Sequence, residues 1–385
     1  MTMSFKEKSM IIKNGVAFID GEFRKLDVRI QGGRISEIGT DLIPVPGEVC
    51  RDIDMHYLLP GFVDIHIHAF GGADCMRGEA DVRKMSRELL KTGIAAFVPT
   101  TMSAWPDETY RALQAIDNVR RFPEPDGADI LGAHMEAPFL APAYKGAQLG
   151  ECLQAPSVEA YQAMTKDLKS VRMMTLAPEL DGALDLIRYL AAHDVVTCAA
   201  HSGAKAADVH TAADVGLTQI THLFNAQTPL HHREPGVPGA GLADDRIAVQ
   251  IIADGIHVHP DVLRIVGLCK GGKGTILISD SMEAAGLPEG NYELGGQKVI
   301  VANGAARLEN GVLAGSTLML HQAVTNMIRL AQLKPEEVIP MATSTPADSL
   351  HQPEYGRISI GCRGVLAEMD HDWRFVKAHY EDRIV

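Results

Sequence analysis

Eight short apolar runs, each parted from the next by polar or helix-patterned sequence, constrain this chain more than any other feature. They are GFVDIHIH, IAAFVPTTM, DILGAHMEAP, VRMMTLAPE, DVVTCAAHS, LTQITHLFN, IAVQIIADGIH and TILISDSM. Runs this short and this apolar read as strands buried on both faces. Segments such as EADVRKMSRELLKTG and SVEAYQAMTKDLKS supply helices between them. Strand and helix in alternation predict parallel βαβ units, and eight units fit a closed (β/α)8 TIM-type barrel. A doubly wound open sheet is the alternative. It would carry a glycine-rich phosphate turn after its first strand, and no GxGxxG is present. The expected class is therefore α/β, with the barrel over residues 58–345.

Outside that span the rhythm changes. MIIKNGVAFI, GEFRKLDVRIQ and GRISEIG alternate apolar and polar residues between glycine-containing turns, and GRISIGCRGVLAEMD and WRFVKAHY resume the pattern near the C-terminus. Residues 1–57 and 346–385 are thus expected to pair as one small β-sandwich domain. Asn291 to Gly315 reads as a pair of β-hairpins inserted after the eighth strand, at the end of a barrel where loops border the active site. The net charge of −13 argues against a nucleic-acid or anionic-membrane surface, although a few local cations can still hold one phosphate. No apolar run reaches the roughly 18 residues of a membrane span, and MTMSFKEKSMII lacks the apolar core of a secretory signal. Six cysteines scattered without CxxC spacing read as reduced thiols, so a cytoplasmic location is expected.

Polar residues gather at the C-terminal ends of the predicted strands, where all eight converge on one rim. His66 and His68 end the first strand, two residues apart and hence on one face. Glu136 ends the third, His201 the fifth, His222 the sixth and Asp280 the eighth. Each has an ordinary explanation taken alone: a strand histidine, a salt-bridge partner, a loop residue or a helix cap. Ordinary explanations for all of them at once, each at a strand end, are far less economical than one shared role. Imidazoles and carboxylates in this mixture suit Zn²⁺ or Fe²⁺. His134 competes with Glu136 but falls deeper in its strand.

With HxH on the first strand, His on the fifth and sixth and Asp on the eighth, the chain resembles the amidohydrolase superfamily. Within it, LPGFVDIHIHAFGGAD, HMEAPFLAPAYKGAQ, AAHSGA, THLFNAQTPLHHREPGVPGAGL, IIADGIHVHP, ISDSMEAAG and NGVLAGSTL resemble the N-acetylglucosamine-6-phosphate deacetylases in order and over most of the chain. Related dihydroorotases and hydantoinases bridge two metals with a carbamylated lysine on the fourth strand. VRMMTLAPE contains no lysine, and Glu136 is the substitute that the resemblance implies. The resemblance further implies that Glu136, His201 and His222 bind a principal divalent ion, with His66 and His68 joining Glu136 at a second. One or two ions, zinc or else iron, would then activate water, with Asp280 as general base and acid. Substrate contacts would come from Gln148, Asn225, the Ala226 backbone, Arg233 and His257. Arg233 suits bidentate phosphate recognition, with a surface ion pair to Glu234 or Asp244 as its plain alternative. A homodimer that completes the phosphate site is implied as well.

Two departures from the family pattern stand out. EAP replaces EGP, which puts a methyl group at Ala137, and Gln148 stands where many members carry a histidine that helps polarise the acetyl carbonyl. Glutamine donates a hydrogen bond but cannot become a cation. The expected function is deacetylation of N-acetylglucosamine 6-phosphate. The alternatives are a related N-acyl amino sugar such as N-acetylgalactosamine 6-phosphate, or a non-catalytic scaffold, whose mark would be loss of ligands or of Asp280.

Overall fold

A computed structural model describes residues 9–166 and 168–380. The expected segments at 1–8 and 381–385, and Asp167 within SVEAYQAMTKDLKS, lie outside the described residues; the helix in that stretch spans Val158–Thr165. The eight apolar runs become the barrel strands Phe62–Ile67, Ile94–Thr101, Asp129–Ile130 with Ala133–Met135, Val171–Leu176, Val196–Ala199, Leu217–Ile220, Ala248–Ile251 and Thr275–Leu277. They pair in parallel and in chain order. The third strand is broken at Gly132, where a Cβ would come within 2.7 Å of the Ser170 carbonyl oxygen. Helices fill the outside for the usual amphipathic reason. In Glu79–Lys91 the residues Val82, Met85, Leu89 and Leu90 face inward, while Glu79 and Asp81 sit at the positive end of the helix dipole.

Among the described residues no ladder joins the first strand to the eighth, and the seam closes by other means. Asp280 N–H donates to the His66 carbonyl (2.9 Å), and Ser279 N–H donates to Asp64 Oδ1 (3.3 Å). The barrel interior also departs from the purely apolar one expected. His134 Nε2 meets Thr175 Oγ1 (2.8 Å), Thr175 meets Thr221 (2.9 Å), and Gln250 donates to Gln219 (2.9 Å). Side chains from neighbouring strands pair there, which offsets part of the penalty for burying them, while His134 Nδ1 and Gln250 Oε1 are left without a partner among the described residues.

Both termini build one seven-stranded sheet. Its first strand, Ser9–Ile19, shifts register between Ile12 and Gly15, leaving Val49–Asp52 to take up Tyr57–Pro60. The sandwich is therefore a single folded sheet closed on Ile12, Val28, Ile30, Ile35, Leu58 and Leu366. GRISIGC, expected as a strand, is a loop. It clips the sheet edge instead, as Ile35 N–H donates to the Cys362 carbonyl and Gly361 N–H to that of Ile35. The insertion forms three antiparallel strands, Gly290–Leu294, Gln297–Ala302 and Ala305–Leu308, whose Leu294, Val299 and Ala306 pack on Met102 and Met282.

Gly61 links the terminal sheet to the first barrel strand, and its N–H donates to the Val365 carbonyl (2.8 Å). A Cβ there would lie 2.7 Å from both Ala95 Cβ and the Val365 oxygen. Gly61→Ala is expected to cost about 1–3 kcal/mol through overpacking, read as a lowered urea midpoint. An unchanged midpoint would mean that the two units do not press together at this point.

Candidate active site

The strand-end residues converge as the barrel requires. Glu136, 2% exposed, stands at the centre. Its Oε1 lies 3.1 Å from His201 Nε2 and 2.9 Å from His222 Nε2, while Oε2 lies 3.3 Å from His68 Nε2. Asp280 Oδ1 approaches His68 Nε2 at 3.2 Å and His66 Nε2 at 3.5 Å. Two groups can each hold a metal ion, Glu136 with His201 and His222, and His66 with His68 and Asp280; within each, the ligand atoms lie within 4.8 Å of one another.

Neighbouring carbonyls settle how two of the imidazoles face the centre. A carbonyl oxygen only accepts, so His68 Nδ1–H donates to Thr100 (2.9 Å) and His201 Nδ1–H to Tyr144 (3.0 Å). When the Nε2 proton is absent, each ring turns that nitrogen's lone pair inward, the arrangement that orients metal-binding histidines. Nitrogen and oxygen donors in this number, with no cationic side chain bonded to them, fit a divalent ion such as Zn²⁺. His201, His222 and Asp280 also hold positive φ angles of 48°, 32° and 49°. Non-glycine residues seldom adopt that region, and here it turns each side chain back over the rim.

The centre lies at the floor of a cleft of about 560 Å³. Asn225, Ala226, His257 and Gln148 line it, and Leu294, Asn310, Val312 and Leu313 of the insertion form one wall. His257 is held by Asp254 (Nδ1 to Oδ2, 2.6 Å). Arg233 is not on this wall. It is exposed, and its guanidinium donates to His232 rather than to Glu234 or Asp244. Ala137 does not line the cleft either, so its methyl group does not narrow the opening. Lys145 donates to the Gln148 carbonyl (3.0 Å), closing its own loop.

A family model described as the amidohydrolase family matches residues 57–380. The chain belongs to the amidohydrolase family. It is 38% identical over 330 residues to an N-acetylglucosamine-6-phosphate deacetylase of Bacillus subtilis (strain 168), covering 83% of this chain and 82% of the relative. It is 37% identical over 346 residues to an N-acetylgalactosamine-6-phosphate deacetylase of Escherichia coli O157:H7, covering 89% and 90%. The crystal structure of N-acetylglucosamine-6-phosphate deacetylase from Thermotoga maritima superposes with a TM-score of 0.86 at 32% identity, over 97% of this chain and 98% of that one.

The electrostatics of this amidohydrolase centre follow from burial and close approach. Burial alone would raise the carboxyls of Glu136 and Asp280. The surrounding imidazoles outweigh it, holding Glu136 well below its ordinary range and Asp280 down at about 2. Burial lowers His66 to about 4. For His68 burial acts in the same direction, but hydrogen bonds to Asp280 and Glu136 win and hold it well above its ordinary value.

Several residues of the site carried no role in the sequence reading. Asp64 is wholly buried behind His66, and burial pushes its carboxyl up to about 7. It lies inside FVDIHIH, and a carboxylate in an apolar run was the signal available. Thr100 and Tyr144 act through backbone carbonyls, which no residue type announces.

Metal ligation requires neutral imidazoles, so the His68 proton must leave when an ion enters. Despite burial, His222, like His68, is held above its ordinary value by Glu136, so zinc uptake at pH 7 by chelator-stripped protein is expected to release protons, and affinity should fall as pH falls. Calorimetry in buffers of different ionisation enthalpy reads this directly. Heats that do not depend on the buffer would contradict it.

Proposed function

We infer that this amidohydrolase removes the acetyl group of N-acetylglucosamine 6-phosphate, giving glucosamine 6-phosphate and acetate. The observation that carries the chemistry is the buried set of imidazoles and carboxylates around Glu136, open to a cleft on one side. The relatives' activities support the substrate. Glu136, His201 and His222 would hold the principal ion, and His66 and His68, with Glu136 and Asp280 facing them, a second. We take zinc as the ion, which the mixture of nitrogen and oxygen donors suits, with iron as the alternative. Such an ion supplies Lewis acidity and lowers the pKa of water toward neutrality.

The chain's own groups do the rest. Asp280 is ionised at neutral pH and borders the cleft, so it takes the proton of the attacking water and returns it to the departing amine. His257, fixed by Asp254, and Asn225 with the Ala226 backbone serve the sugar hydroxyls and phosphate. The insertion wall keeps bulk water from one side of the cleft. Arg233, exposed and without a carboxylate partner among the described residues, fits a phosphate contact completed in a homodimer. The terminal sheet (1–57 and 346–385) and the barrel (58–345) form two domains in this reading, with Tyr57–Pro60 crossing the boundary. A cytoplasmic setting is supported by six free cysteines. No helix among the described residues is long and apolar enough to cross a membrane.

A second reading, N-acetylgalactosamine 6-phosphate, is favoured by the 37% identical relative of that activity. Acetate release from the two 6-phosphates tests the choice. Faster turnover of the glucosamine derivative is expected, and equal rates would reject narrow specificity. Asp280→Asn should retain most of its metal and lose about 10²- to 10⁴-fold in kcat. Near-parental turnover would remove Asp280 from proton transfer.

A further inference from the structure

Gln148 was expected to face the substrate, yet its side chain is committed elsewhere. It is 2% exposed. Ser103 N–H donates to Gln148 Oε1 at 2.7 Å. Only the oxygen of a carboxamide can accept, so this contact fixes which end of the amide is which. The NH₂ end is thereby turned toward Glu136 and donates to Oε2 at 2.7 Å. Its other direction of donation is taken by Met102 Sδ at 3.7 Å. The residue's backbone is pinned as well. Its N–H donates to the Lys145 carbonyl (3.0 Å), Lys145 Nζ donates to its carbonyl (3.0 Å), and the next residue, Leu149, donates to Ser103 Oγ (2.6 Å).

Glu136 turns Oε1 toward His201 and His222 and Oε2 toward His68. Rotation of its carboxylate would spoil that division, and among the described residues the only neutral donor to Oε2 outside the metal-holding groups is Gln148. We propose that Gln148 is a positioning residue that locks the Glu136 carboxylate for metal binding, and that it does not polarise the acyl carbonyl. The proposal rests on the reading of Glu136 as a ligand. It also accounts for a glutamine here: a neutral amide can be anchored by Ser103 and donate to Glu136 at once, without bringing a cation to the metal centre.

Zinc binding to chelator-stripped protein, measured by competition with a chromophoric chelator, tests this apart from turnover. Gln148→Met keeps the length of the side chain and removes its donor. Its zinc dissociation constant is expected to rise about ten- to a hundredfold, in metal-free protein that still melts in one cooperative transition. Gln148→Asn, one carbon short of Glu136, should weaken zinc in the same direction and serves if the methionine variant does not fold. Gln148→His, whose Nε2 stands as many bonds from Cα as the glutamine nitrogen, should restore most of the affinity. Parental zinc affinity in the methionine and asparagine variants, with kcat alone reduced, would overturn the proposal and return Gln148 to the acyl carbonyl. Acetate release by the parent is measured alongside. An inactive parent with the zinc shifts as expected would sink the proposed function and leave the positioning role standing.

Discussion

A carboxylate with almost no access to water, Glu136, is surrounded by imidazoles from three different strands. Taking such a charge out of water costs several kcal/mol unless close partners of opposite or polarisable character replace the lost hydration. That requirement governs the rim of the barrel. His201 and His222 must turn inward through left-handed backbone, Gln148 must be anchored by Ser103, and Thr100 and Tyr144 must offer carbonyls to outward-facing ring nitrogens. These demands fall on the ends of the second, fifth and sixth strands and on the loop after the third, which a closed barrel brings to one point. The same crowding that makes the carboxylate costly makes the centre ready for a divalent ion.

The same ligands sit on the barrel's seam. The first and eighth strands, which supply His66, His68 and Asp280, are joined by the Asp280–His66 and His68–Ser281 backbone bonds and by Asp64 rather than by a ladder. Asp64 links the backbone of both strands, since His66 N–H and Ser279 N–H both donate to its Oδ1 (3.3 Å each). A buried side chain directly below the site thus adds to the backbone bonds that space these strands. The polar chain of His134, Thr175 and Thr221 continues the same principle inside the barrel. Side-chain pairs hold the interior in register there, where an apolar interior would slide more freely.

Much of this was legible in the sequence because strand period and barrel closure are strict. Eight apolar runs gave the strand order, and histidines and carboxylates near the ends of five of those runs gave the cluster. What stayed hidden depended on backbone geometry or on partners distant in sequence. Nothing in GRISIGC reveals that it lacks a strand to pair with, since Ile358 and Cys362 are as buried there as strand residues would be. Nothing in KGAQ reveals that Ser103, 45 residues earlier, fixes the Gln148 amide with its NH₂ end on Glu136. Arg233 is a third case. Its exposed position agrees with the ion-pair alternative in placing it outside the cleft, but its guanidinium meets His232 and no carboxylate.

The account stands on one claim, that the donors around Glu136 work through a bound divalent ion to hydrolyse an N-acetyl amide. The most direct measurement follows acetate release from N-acetylglucosamine 6-phosphate by protein stripped with a chelator and then reloaded stepwise with Zn²⁺. Activity should vanish on stripping and return in proportion to the zinc bound. Full acetate release from protein that carries no divalent metal would contradict the account.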